Sequence, residues 1–390
     1  MFSNYKNIII FYYIKMLYIF IFLFCFLQKT DSFFRNTRII KNKSLLMLNN
    51  DKQYTYAKEY YDFYNKYKVK SNALQSSFLV NYEEFAEKHK QNYIIFENNY
   101  NLIKSTKNDL SGGNSSFTVE LNKYADLINF NENNADDLNY KLSSTDNIVK
   151  TFDFHLFFKN LLRPLNILKK KNENIRVNWN NTEYLSPVKD QGQCGSCYAF
   201  STTNVLETFM RINNYTVDRL SEQQIVDCSP NDYGCEGGFM HTSLDYIIDN
   251  KGLLTNDNYK YMGITQNCTT SKTDQNVVGS NITEYQFVIP SSVQDLKDCV
   301  MKTPIAIAVD ANNVYFRFYK KGVIDVPLQQ NNVLNHAVVL VGFDYDEDGM
   351  YWIIQNSWGK DWGDNGFCKI RAQEGNGVLL CQKYGVYPVK

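Results

Sequence analysis

The spacing of apolar positions divides the chain into stretches of different period. From about residue 52 to 107 the sequence is charged and Tyr-rich, and Phe85, Tyr93, Phe96, Tyr100 and Ile103 fall at three-, four- and seven-residue separations. That is the repeat of one helix face, so an amphipathic helix is predicted here. SGGNSS at 111–116 ends it, and FTVELNKYADL then alternates as a strand before running into a turn. Further on, residues 197–212 gather Val205, Leu206, Phe209 and Met210 on one apolar face, and LSEQQIVDC opens a second helix with Ser221 as its N-cap. Past residue 280, PIAIAVDA, HAVVLVGFDY, YWIIQNSW and FCKIRA are short, β-rich runs separated by turn residues. The expectation is an α+β fold in which a helical lobe and a sheet lobe meet along a cleft, where sites tend to lie.

Composition narrows the classes of function. The 390 residues carry 41 basic and 41 acidic side chains, so no global field draws the chain to nucleic acid or to an anionic membrane. With 44% hydrophobic residues the chain can bury real cores. The N-terminus is exceptional: Lys6 and Lys15 bracket apolar runs, and the second, 16–27, has the length of a signal-peptide core. If Lys15 is tolerated inside a single span from 8 to 27, the segment is instead long enough to stay as an anchor. Residues 1–29 are therefore expected to be a signal peptide or signal anchor, and either delivers the chain to the secretory pathway, where thiols oxidise. Sequons at Asn42, Asn114, Asn180, Asn214, Asn267 and Asn281 agree with that route, modestly so in an Asn-rich chain. Apart from Cys25, every cysteine lies at or after Cys194, which suggests a removable front and a disulfide-stabilised back.

The chemistry concentrates in QGQCGSCYAF at 191–200. Its C-x-x-C spacing could belong to a redox pair, to half a zinc site, or to one nucleophile beside one structural cysteine. No βαβ pattern surrounds it, and Cys228 and Cys235 are too far apart to complete a zinc knuckle. A nucleophile needs a thiolate, and Cys197 stands at a predicted helix start, which lowers a thiol pKa. It also needs a base. Of the four histidines, His89 and His155 lie in the cysteine-free front, leaving His241 and His336. His336 opens a predicted strand, and downstream QNSWG offers Asn356 to hold the imidazole and Trp358 to shield that bond. The Gln191 amide could join the Cys197 backbone N–H in stabilising an oxyanion.

These residues resemble the papain-like cysteine proteases of the cathepsin L type. VNWNNTEYLSPVKDQGQCGSCYAFS is similar to the start of the mature enzyme, LSEQQIVDCSPNDYGCEGG to its helix and Gly-rich wall, NHAVVLVGF to its histidine strand, and WIIQNSWGKDWGDNGF to its asparagine region. The resemblance spans about 177–390, and ELNKYADL resembles the propeptide motif, with Asn122, Tyr124 and Asp126 in place but Glu120 where glycine is usual. Of the propeptide helix motif, Phe96, Asn99 and Ile103 survive. The resemblance implies a helical inhibitory propeptide over 30–172 and a two-lobed papain-like peptidase over 173–390, with a helical left lobe, a β-barrel-like right lobe and the cleft between them. It implies Gln191, Cys197, His336 and Asn356 as the catalytic set. Gly237 and Gly238 would lie along the substrate backbone, and Phe239, Met240, Ala308, Leu334 and Ala337 would line an apolar S2 pocket, with Tyr384 the candidate for its base. Cys194 would pair with Cys235 and Cys228 with Cys268. The family's third disulfide would join Cys381 to a cysteine near residue 328, where PLQQNNV has none, so Cys299, Cys368 and Cys381 form an odd set. Tyr198 replaces the usual Trp after the nucleophile.

The implied activity is a cysteine endopeptidase made as a zymogen, acting on protein or peptide substrates with its own propeptide as inhibitor. It would use no metal or other cofactor, bind no nucleic acid, and touch membrane only through a retained N-terminal anchor. Its place would be the secretory pathway, in a lysosome-like or digestive compartment or outside the cell. The competing reading is a catalytically silent papain-like binding protein, against which the intact Gln191, Cys197, His336 and Asn356 argue.

Overall fold

The computed structural model describes residues 54–68, 81–111, 116–127, 175–270, 277–280, 282–329 and 331–390. The leader, the expected boundary between propeptide and peptidase at 172–173, and the sequons at Asn42, Asn114 and Asn281 lie outside these residues.

Among the described residues the front segment shows three helices rather than the one that its period suggested: α1 (Ala57–Tyr67), α2 (Tyr82–Lys88) and α3 (Lys90–Ser111). The Asn81 side chain caps α2 by accepting from the Glu84 amide. At His89 the backbone leaves helical geometry, and the imidazole Nδ1 lies 3.0 Å from the Phe85 carbonyl at the helix end. All three helices bury the same aromatic core, built on Tyr60, Phe63, Tyr93 and Phe96, with the Tyr60 and Phe96 ring centroids 5.1 Å apart. One shared core explains why the sequence showed a single apparent period.

The next strand, β1 (Phe117–Val119), leaves this bundle and pairs antiparallel with β7 (Tyr319–Ile324), opposing Phe117 to Gly322. Gly322 has φ +92°, and a Cβ there would come within 2.0 Å of the Ser116 carbonyl oxygen. The front of the chain therefore adds an edge strand to a sheet formed by the back.

That sheet runs β1-β7-β10-β9-β8-β6-β11-β5, where β5 is Glu284–Phe287, β6 Ile305–Val309, β8 His336–Asp346, β9 Gly349–Gln355, β10 Phe367–Arg371 and β11 Gly385–Val389. The short β2 (Val177–Asn178) pairs with β8 off this path, and β3 (Gly252–Leu253) with β4 (Val278–Gly279) make a separate ribbon. All pairings are antiparallel except β10 with β7. Among the described residues the sheet has two free ends, β1 and β5, and does not close into a barrel.

Alternation along β8 separates two cores. Val338 and Leu340 join the core that also holds Trp352, Trp362 and the front helices, whereas Ala337, Val339 and Val341 join the core of the helical lobe. The helical lobe comprises α4 (Cys197–Ile212), α5 (Glu222–Cys228) and α6 (Met240–Asn250). Ser221 caps α5 as expected, its hydroxyl 3.0 Å from the Gln224 amide. Twelve of the sixteen residues of α4 are buried, because it lies between the lobe and the sheet. Its polar residues inside must therefore find partners.

Candidate active site

Cys197 is the first residue of α4 and His336 the first of β8, so the seam between the lobes brings a helix start against a strand start. Both side chains line one pocket with Gly238, Phe239, Met240, Ala308, Leu334, Asn335, Ala337 and Tyr384, a cavity of about 30 Å³. Gly237 lies beside it, not in its lining, at φ +116°.

Each member of the sequence-predicted set is held by its neighbours. His336 Nε2 is 2.8 Å from Asn356 Oδ1, and the Trp358 ring lies over the imidazole with centroids 4.7 Å apart. Asn356 Oδ1 also accepts from the Ser357 amide at 2.8 Å. His336, Asn356 and Trp358 are all buried, so Trp358 keeps water from this bond. Gln191 is tied to the next residue, Ser357: its backbone N–H donates to the Ser357 carbonyl at 2.8 Å, Ser357 Oγ donates to its Oε1 at 2.7 Å, and its side-chain Nε2 donates to the Cys194 carbonyl at 2.9 Å. Through Ser357 the amide of Gln191 and the amide of Asn356 are parts of one rigid piece.

Burial dominates the electrostatics. It pushes the Cys197 thiol up to about 11, against the opposing pull of hydrogen bonds from the Ala337, Tyr198 and Cys197 backbone. A helix start alone was expected to lower this thiol; desolvation of the thiolate outweighs it. Burial likewise brings His336 down to about 4, while its bond to Asn356 works the other way. Each group taken singly is therefore neutral at pH 7.

Several supports had no signal in the sequence. Tyr261 Oη donates to the Gln191 carbonyl at 2.7 Å, which obliges Ser196 Oγ, also 2.7 Å away, to donate to Tyr261. One tyrosine thus ties the Gln191 loop to the start of α4, yet in a chain with 29 tyrosines nothing in the pattern distinguishes it. The Gly-rich wall rests on Asp232, which accepts from Ser229 Oγ at 2.6 Å and from the Phe239 amide at 2.8 Å. A Cβ at Gly238 would come within 2.5 Å of Asp232 Oδ1 and 2.7 Å of the Tyr198 ring, so this position accepts only glycine. At the floor of the pocket Tyr384 Oη lies 2.8 Å from His241 Nδ1. The histidine not chosen as base thus sits beneath the pocket.

Cys194 is joined to Cys235 and Cys228 to Cys268, with Cα separations of 4.7 and 4.9 Å. The first clamps the Cys197 loop to the Gly-rich wall, where Gly195 N–H also donates to the Cys235 carbonyl at 2.9 Å. Cys299, Cys368 and Cys381 are buried and belong to neither disulfide.

The front segment reaches the same region. Tyr124 Oη donates to the Trp358 carbonyl at 3.2 Å with ring centroids 5.0 Å apart, and Lys123 pairs with Asp190 at 2.5 Å. Asn122 Nδ2 donates to the Arg317 carbonyl and Asn99 Nδ2 to the Ala125 carbonyl, each at 2.9 Å.

Comparisons agree with this architecture. The family model described as papain family cysteine protease matches residues 174–388. Cathepsin L1 of Drosophila melanogaster is 33% identical over 315 residues, covering 78% of this chain and 81% of the relative. Human cathepsin L2 is 33% identical over 301 residues, covering 74% and 84%. Among solved structures, digestive procathepsin L2 of Tenebrio molitor larval midgut superposes with a TM-score of 0.65 at 25% identity, over 86% of this chain and 99% of that one. The recombinant stem bromelain precursor gives 0.63 at 26%, over 85% and 98%. With a papain-like fold, a family match over its back half and relatives across both halves, the chain belongs to the papain family of cysteine proteases and is a cysteine-type peptidase of the cathepsin L kind.

Proposed function

We propose that the chain is a zymogen whose mature part cleaves peptide bonds through Cys197, His336, Asn356 and Gln191. The observation that carries this reading is the buried His336–Asn356 bond under Trp358, at the edge of the pocket that Cys197 also lines. Asn356 accepts from Nε2–H, which leaves Nδ1 as the nitrogen that takes the thiol proton. Neither group ionises readily by itself, but proton transfer creates two opposite charges in a poorly screened site, where their attraction offsets the desolvation of both. The thiolate attacks the substrate carbonyl carbon. The oxyanion is met by the Cys197 N–H and the second N–H of Gln191 Nε2, whose first is held by Cys194. The imidazolium then protonates the leaving amine, and water, deprotonated by the same imidazole, hydrolyses the thioester and restores the thiol.

The substrate would run along the Gly-rich wall, with its P2 side chain in the apolar pocket. The helical front, held by β1 on β7 and by Tyr124 on Trp358, would be the inhibitory propeptide. Secretory routing rests on the apolar leader; no helix among the described residues is long and apolar enough to cross a membrane.

Cys197→Ala is expected to abolish turnover below about one thousandth of the parent while leaving the fold intact. Gln191→Ala should lower kcat roughly tenfold to a thousandfold yet still react with an epoxide thiol probe. Peptide hydrolysis surviving Cys197→Ala overturns Cys197 as the nucleophile, whereas a parent that neither cleaves peptides nor takes the probe overturns the reading in favour of a silent binding fold.

A further inference from the structure

Next to the substrate pocket, with Ala337 lining both, lies a small cavity lined also by Lys189, Phe200, Ser201, Asn204, Gln355 and Asn356, among others. It offers about 10 Å³ to the centre of a water molecule, close to the least that holds one. The polar side chains around it are engaged elsewhere, with two exceptions. Lys189 Nζ donates to Glu207 at 2.8 Å, Glu222 at 2.7 Å and Thr203 at 3.4 Å. Ser201 Oγ donates to the Tyr198 carbonyl at 3.1 Å, and Ser357 Oγ is spent on Gln191. The exceptions are Asn204 Oδ1 and Asn356 Nδ2, both buried and without a partner.

Backbone groups fix which atom of each amide is left over. Gln355 Nε2 must donate to the Ser186 carbonyl, 2.8 Å away, so its Oε1 accepts from Asn204 Nδ2 at 2.9 Å. Asn356 Oδ1 must accept from the Ser357 N–H. What remains on the cavity is one acceptor, from mid-helix α4, and one donor, from the residue that orients His336. A bridging water satisfies both at once, donating to Asn204 and accepting from Asn356, whereas an empty cavity would cost each amide its buried hydrogen bond.

We propose that Asn204 is a positioning residue, which through one buried water holds the Asn356 amide, and thereby the His336 ring, in its working orientation. The proposal rests on the assignment of Asn356 to the catalytic set. The side chain does not touch substrate. It acts on kcat, since a loosened Asn356 leaves the thiolate–imidazolium pair less well arranged without altering the pocket that binds P2.

The test uses three variants of the full chain, compared after maturation. Asn204→Leu fills the cavity with apolar atoms and strands Asn356 Nδ2, so kcat should fall about tenfold with KM unchanged, and the alkaline limb of the kcat/KM profile should move to lower pH. Asn204→Ala leaves room for solvent and should be the milder of the two. A purely structural asparagine gives the opposite order, because truncation would leave a void that the similarly sized leucine fills. A crystal structure of the parent should place one water within hydrogen-bond distance of both Asn204 Oδ1 and Asn356 Nδ2. A dry cavity, a direct Asn204–Asn356 bond, or Ala worse than Leu overturns the inference. Asn356→Ala separates the two levels: if it lowers kcat while Asn204→Leu does not, the water bridge alone is wrong. If neither variant changes kcat, the role given to Asn356 fails, and the inference with it.

Discussion

Tyr384 and His241 set the chemistry of the pocket floor. Burial raises the Tyr384 hydroxyl above its ordinary range, so it keeps its proton and donates to His241 Nδ1, which places the imidazole proton on Nε2. Burial also brings His241 down to about 4, so the floor is uncharged at pH 5 and above. Of the two carboxylates that act on Tyr384, Asp232 spends its oxygens on Ser229, Phe239, Thr242 and Ser243, and Asp245 is hydrogen-bonded by Tyr285. A P2 arginine would therefore lose its hydration without gaining a partner, and Leu, Val or Phe should be preferred. A positional-scanning library in which Arg leads at P2 would show that a carboxylate reaches the pocket after all. The same histidine carries a pH signature. Its folded value lies below the ordinary 6.5, so the unfolded chain takes up the proton first. The stabilisation it brings is complete above pH 6.5 and is lost as the pH falls towards 4. His241→Gln keeps an acceptor for Tyr384 but cannot ionise. In a Cys197→Ala background, where His336 contributes equally to both proteins, urea melts from pH 7 to 4 should show the Gln variant losing on the order of 2 kcal/mol less stability. Parallel losses would mean that His241 is protonated without penalty.

Elements were legible where one period had one cause. The strands from Ile305 to Arg371 alternate because each divides its side chains between two cores, and their runs in the sequence stand close to β6, β8, β9 and β10. Cys197–Ile212 was legible from its apolar face, but its buried polar residues Thr202, Thr203, Asn204 and Glu207 were not, because their partners lie far along the chain. Glu207, for instance, accepts from the Leu220 amide and from Lys189. The three front helices share one period because they share one core, so periodicity alone could not separate them. The two-residue β2 has no period to read, yet it pairs Val177 with Phe343. The motif residues around the cleft were legible from type and spacing; Tyr261, His241 and Asn204 were not, since each works through a tertiary contact that leaves no local pattern.

For the molecule as a whole, the described contacts between the front and back halves are those that would hold a propeptide in place on the proposed zymogen reading. The front is held by β1 on β7, by Tyr124 on Trp358, by the Arg317 guanidinium on the Tyr124 carbonyl at 3.2 Å, and by the Lys123–Asp190 pair. Asp126, itself buried, pairs with Lys68 at 2.8 Å and so closes the turn after β1 onto α1. These two ion pairs tie the turn after β1 to α1 and to Asp190, so removing either should loosen the front while leaving the apolar contacts of the two lobes in place. On the other side, the chain is held from β2 onward, with Arg176 already paired to Asp344 at 3.0 Å. The maturing cut is expected before β2, in the Lys- and Asn-rich window 169–176, of which residues 169–174 lie outside the described ones. With Glu120 in place of glycine and only Phe96, Asn99 and Ile103 of the propeptide helix motif, the hold should be weak enough for slow processing near neutral pH. Purified Cys197→Ala protein treated with active parent enzyme should therefore be cut in this window. Asp126→Asn, which lacks the ion pair with Lys68, should be cut several-fold faster than the Cys197→Ala parent at the same pH. Resistance to cutting, an Asp126→Asn variant cut no faster, or an N-terminus mapped by sequencing to a position inside β2 or beyond, would mean that the boundary or the release mechanism is different.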